Sequence, residues 1–96
     1  MTNPSLLILT SLSSGPKHGH ALLLDIESFA GVRLGPGTLY GAISRLDEQG
    51  LIEPLDADAR RRPYRITAAG ATTLAKSLED LRRIVLTGTT RLAAAT

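Results

Sequence analysis

The chain has no cysteine and no tryptophan, and its aromatic side chains are Phe29, Tyr40 and Tyr64 alone. Without cysteine there is no disulfide framework, no thiolate-ligated zinc and no thiol nucleophile. With so few aromatic rings, a core must be built from Leu, Ile, Val and Ala. No apolar run approaches the roughly 20 residues of a membrane span. The start MTNPSLLILT lacks the basic segment and cleavage site of a secretory leader, so a soluble, cytoplasmic protein is expected. Charge of one sign is also in short supply: 11 Lys and Arg against 9 Asp and Glu leave +2, too little to argue for a polyanionic partner from bulk charge.

Chemistry that needs clustered ligands or nucleophiles is equally poorly provided for. His18 and His20 flank Gly19, a spacing that points their side chains in different directions on a helix, and no cysteine or carboxylate pair nearby completes a metal set. Ser13 and Ser14 stand in an SSG segment, which is commonest as a turn. Neither an enzyme, a metal site nor a cofactor is expected.

What is present is periodicity. Ninety-six residues make one small domain. Residues 4 to 14 place Leu6, Leu7, Ile8, Leu9 and Leu12 around most of a helical circumference, with Pro4 suited to the first turn. After the SSGPKHG break, Leu22, Leu23, Ile26 and Phe29 restore helical spacing until Gly31. The connector VRLGP precedes a third helix, expected from about Thr38 to Gly50, whose Leu39, Ala42, Ile43 and Leu46 face inward. Its outer positions are Thr38, Tyr40, Gly41, Ser44 and Arg45.

LIEPL then predicts a short strand that Pro54 confines to an edge or end, PYRIT a returning strand, and Thr67 the N-cap of a long last helix. The turn between the strands holds Arg60, Arg61 and Arg62, with Arg65 just beyond and Asp47, Glu48, Glu53, Asp56 and Asp58 upstream. In the last helix Leu74, Leu78, Leu81 and Val85 recur at four, three and four, continuing through Gly88 to Leu92. That spacing is a short coiled-coil seam. It suits either the helix's own domain or a second chain, and a second chain is favoured because the tail would otherwise expose its leucines.

The fold class that follows is mainly α with a small two-stranded β wing. Residues 1–66 form a winged helix-turn-helix and residues 67–96 a C-terminal dimerisation helix. A third helix with small polar groups outward, beside an arginine-tipped hairpin, is what a duplex-reading module needs. Arg45 can offer a fork to guanine, Thr38 and Ser44 can bond phosphate or base, and Tyr40 can reach a phosphate. Gly41 removes a side chain where the helix would meet the duplex, and Gly35, Pro36 and Gly37 open a helix N-terminus to which a phosphate is suited. A protein-docking winged helix without DNA binding is the competing reading, since a fold does not fix function; the ARRRP wing tip, polar where a docking tip would be apolar, distinguishes the two.

The segments LLILTSLSSGPKHGHALL, PGTLYGAISRLDEQGLIE and RRRPYRITAAG resemble the PadR family of bacterial transcriptional regulators, and the resemblance covers nearly the whole chain, in the compact form with a short C-terminal helix. It implies a homodimeric repressor joined through the last helix, with Leu74, Leu78, Leu81, Val85 and Leu92 at the dimer interface. DNA contacts would come from Gly37, Thr38, Tyr40, Gly41, Ser44 and Arg45 on the third helix, and from Arg60, Arg61, Arg62 and Tyr64 on the wing. The operator of a two-fold dimer would be a near-palindrome. The family also implies a small-molecule effector, of unknown identity here, entering between subunits. The chain departs from the family pattern at His20, where Tyr is usual, at Gly41, where Pro is usual, and at residues 57–61, which lack the usual wing glycine.

Overall fold

A computed structural model describes residues 3–55 and 62–96. It contains α1 (Pro4–Leu12), α2 (Gly19–Ala30), α3 (Pro36–Glu48), β1 (Ile52–Pro54), β2 (Tyr64–Ile66) and α4 (Ala68–Ala95). Helix α1 is the centre of the molecule, packing against α2, α3, α4 and β2. That position explains why its apolar residues are not confined to one stripe: Leu7, Ile8, Leu9 and Leu12 are all buried. Truncating such a side chain to Ala costs about 2–5 kcal/mol.

Local signals set the helix ends. The Ser5 N–H donates to Asn3 Oδ1 at 2.8 Å to start α1, and Gly31 closes α2 in the left-handed region at φ +67°. Helix α3 begins at Pro36, with Gly35 as its N-cap, two residues ahead of the sequence expectation. A proline reads as a break from sequence, but at the first helical position its missing N–H is one the helix would leave unpaired anyway. Thr67 starts α4 as expected: the Gly70 N–H donates to its Oγ1 at 3.0 Å, and the Thr67 hydroxyl donates to the Gly50 carbonyl at 2.7 Å.

Strands β1 and β2 are antiparallel, with Ile52 opposite Ile66, Glu53 opposite Arg65 and Pro54 opposite Tyr64. Ile52 is the strand residue sealed in the core. Sequence gave no hint of the rung on the other side of β2, where Lys17 pairs with Tyr64. The Lys17 N–H donates to the Tyr64 carbonyl at 3.1 Å, and the Tyr64 N–H donates back at 2.9 Å. Three helices and a hairpin thus form the winged helix-turn-helix, and α4 leaves it as a long arm. No helix among the described residues is long and apolar enough to cross a membrane.

The start of α4 belongs to the domain. A Cβ built on Gly70 would collide with the Leu51 carbonyl oxygen and lie 2.8 Å from Ile66 Cγ1. This glycine, which weakens the helix start on propensity alone, is required by close packing. Leu74 is buried at 6% exposure within the domain core. The seam begins beyond it.

Candidate nucleic-acid interface

Helix α3 buries Leu39, Ala42, Ile43 and Leu46 and leaves its opposite face in solvent. Gly37, Thr38, Tyr40, Ser44 and Arg45 are exposed and Gly41 is half-buried, so the six positions expected on the recognition surface do lie on one outward side. Gly41 is informative because no packing among the described residues requires it. A Cβ there would meet only Arg45 Nη1, at 3.6 Å, an ordinary contact. A helix-interior glycine costs about 1 kcal/mol relative to alanine, and packing does not return that cost. A bare backbone at this position leaves room for another surface to approach.

The N-terminus of α3 has the same outward character. Asn3, His18 and Thr67 cap α1, α2 and α4 through their side chains, whereas Gly35 offers α3 no side-chain bond. The free N–H groups of the first turn carry the positive end of the helix dipole, a setting that suits a phosphate oxygen.

Tyr40 is both packed and exposed. Its ring lies over the start of α2, where a Cβ on Gly19 would stand 2.8 Å from Tyr40 Cζ, yet 52% of the residue remains exposed. Gly19 is therefore a small-residue gap that seats Tyr40 between α2 and α3. The HGH segment of His18, Gly19 and His20 did not betray it, because the partner lies 21 residues along the chain.

On the wing side, Arg62 is exposed, while Arg60 and Arg61 lie outside the described residues. Arg65 is committed elsewhere: its Nε donates to Glu53 Oε1 at 2.5 Å across the strands. Tyr64, expected among the DNA contacts, is half-buried and packs against the core. Its backbone is held by Lys17 on one side and by β1 on the other, two residues after Arg62.

Both histidines find local roles. His18 caps α2, its Nδ1 accepting from the Ala21 N–H at 3.4 Å, and His20 lines a shallow cleft with Leu23, Leu24, Glu27 and Arg33. That cleft holds about 40 Å³, room for water rather than a drug-sized molecule. Among the described residues no three His, Asp or Glu side chains converge as a metal set would.

Along α4 the five residues expected at a dimer interface divide. Leu74 is in the domain core, a correction to its assignment to the partner-facing stripe, because the first two turns of α4 lie against α1 and β2. Leu78, Leu81, Val85 and Leu92 are exposed, as are Ile84 and Leu86, which the heptad reading omitted. At 100° per residue, Leu78, Leu81, Val85 and Leu92 all fall within roughly 40° of Leu74, forming one apolar ridge that runs out of the core into solvent.

Comparison with known proteins agrees with this geometry. Residues 8–76 match the model of the transcriptional regulator PadR-like family. A Streptomyces fradiae protein, an uncharacterized 37.1 kDa protein in transposon TN4556, is 42% identical over 79 residues. The match takes in 82% of this chain but only 23% of that protein. Transcriptional regulator Rv3488 of Mycobacterium tuberculosis is 39% identical over 87 residues, covering 84% of this chain and 80% of its own. The crystal structure of a PadR family transcription regulator from Clostridium difficile R20291 superposes with a TM-score of 0.83 over 93% of this chain and 97% of that one, at 21% identity, and so speaks for the fold. With the family model spanning most of the domain and the outward face of α3 built as described, the chain belongs to the PadR-like family of transcriptional regulators.

Proposed function

We propose that the protein is a cytoplasmic repressor that binds a near-palindromic operator as a homodimer. Each subunit lays α3 in the major groove and sets Arg60, Arg61 and Arg62 on the flanking backbone or minor groove. The observation that carries this reading is the outer face of α3, where Gly41 keeps the helix surface bare with no internal partner to justify it, beside Thr38, Ser44 and Arg45 in solvent. The apolar ridge of Leu78, Leu81, Val85 and Leu92 supports the dimer, since an exposed stripe of this kind marks an interaction surface. Two-fold symmetry then places half-sites about 34–36 Å apart.

An effector, if one regulates binding, enters between subunits. The groove on α4 beside Asp80, Arg83, Ile84, Thr87, Gly88 and Arg91 is open in the single chain, and a second subunit packed on the ridge would close it.

The test is titration of a duplex carrying the chain's own upstream region at two salt concentrations. Affinity is expected to fall steeply with salt and to weaken for Arg45→Ala; equal binding at both salts, or by the variant, refutes the reading. Placing the duplex upstream of a reporter gene decides the sign of regulation, repression being expected.

A further inference from the structure

Between the end of α1 and the start of α2 the chain makes a tight reversal, SSGPK, in which Gly15 adopts φ +142°, a backbone region that side chains rarely enter. Lys17 closes this reversal. Its side chain is only 18% exposed and turns inward rather than toward solvent. The ammonium donates to the Ser11 carbonyl at 2.5 Å and to Ser14 Oγ at 2.8 Å. It thereby joins the Ser14 hydroxyl, which donates to the same carbonyl at 3.0 Å, at the C-terminus of α1, where a cation is favoured by the helix dipole. The Ser11 hydroxyl, itself 1% exposed, donates to Asp25 Oδ2 on α2 at 2.6 Å, and Asp25 lies 3.9 Å from the ammonium. One charged group therefore ties the end of α1 to the middle of α2.

The same residue's backbone forms the outer rung on β2, exchanging both hydrogen bonds with Tyr64. Two residues before Tyr64 stands Arg62, the described arginine of the wing. The other side of the hairpin base is held by β1, where the Leu55 N–H donates to the Pro63 carbonyl at 2.8 Å. A two-stranded ribbon held on one edge is free to twist away from the helices; the Lys17 rung fixes the second edge.

We infer that Lys17 is a positioning residue for DNA binding: its ammonium, anchored on Ser11, Ser14 and Asp25, sets the backbone rung that holds β2, and with it Arg62, where that guanidinium meets the duplex beside α3. The inference rests on the DNA-binding reading above. Lys17 itself makes no contact with the nucleic acid, because its charge is spent inside the domain.

The experiment compares the parent with Lys17→Met, Lys17→Arg and Arg62→Ala, measuring folding by circular dichroism and the slope of log affinity against log salt on one duplex. Lys17→Met is expected to lower the slope by about one or more phosphate equivalents, Arg62→Ala to have no further effect in that background, and Lys17→Arg to restore the parent slope. An unchanged slope in folded Lys17→Met, or full additivity with Arg62→Ala, overturns the inference. Hydrogen exchange at the Tyr64 amide in Ser14→Ala, a mild substitution at an exposed position, tests the clamp without DNA and without depending on Lys17→Met folding. Faster exchange is expected, and unchanged protection refutes the coupling. A parent that binds no duplex would refute the DNA-binding reading and, with it, the positioning role, while the exchange result would still decide whether the Lys17 clamp holds Tyr64.

Discussion

Two glycines show how opposite meanings can hide behind one residue type. Gly41 has space for a methyl group and Gly70 has none. Gly41→Ala should therefore raise stability by up to about 1 kcal/mol, the helix-propensity gain, while weakening duplex binding because the added methyl stands on the surface proposed to meet DNA. Gly70→Ala gains the same propensity but drives a methyl into the Leu51 carbonyl and Ile66. Overpacking of this kind costs about 1–3 kcal/mol, so a net loss is expected. Urea unfolding of both variants, with duplex titration of the first, checks the pair; a destabilised Gly41→Ala that bound DNA normally would reverse the assignment. From sequence the glycines could not be told apart in this way. The bare outer position of Gly41 follows from helical periodicity, since its neighbours Leu39, Ala42 and Ile43 declare the inner face. The need for Gly70 arises from Leu51, a contact across 19 positions that no local pattern records.

At the level of elements, the wing separates arginines that composition lumps together. Arg65 is engaged with Glu53 across the ladder, an exposed pair worth at most about 1 kcal/mol to stability but sufficient to occupy the guanidinium, whereas Arg62 points into solvent. Arg62→Ala is expected to reduce the salt slope of DNA binding by about 0.9, one phosphate. Arg65→Ala should leave the slope nearly unchanged, and equal slopes for the two variants would contradict this division. The helix order, the core face of α3 and the hairpin were legible because each is written in spacing: 3.6 for the helices and alternation in YRI. Helix α3 starts earlier than its spacing suggests because Pro36 punctuates a sequence yet is well accommodated at a first helical position. The Lys17–Tyr64 rung, and the core position of Leu74, were not legible because both depend on how distant segments come together.

For the molecule as a whole, α4 decides what the domain can do. Its 28 residues extend about 42 Å, and past Leu74 they carry apolar side chains that the domain itself does not cover: Ile84, Val85 and Leu86 are each about two-thirds exposed, and Leu92 is 71% exposed. The winged domain has its own closed core without them. Replacing Leu81 and Val85 together with Glu should therefore separate the subunits of the proposed dimer while sparing the fold, since neither side chain is buried in the single chain. A monomer bound to one half-site loses the effective concentration that linkage confers, typically 10²–10⁴-fold in avidity, while its contacts with that half-site remain intact. Sedimentation should then report a monomer with unchanged helix content, and footprinting should show a protected half-site only at about 10²–10⁴ times the parent concentration. A double variant that stayed dimeric would move the interface to another surface, and a monomer that protected both half-sites as tightly as the parent would show that the operator is read by independent domains.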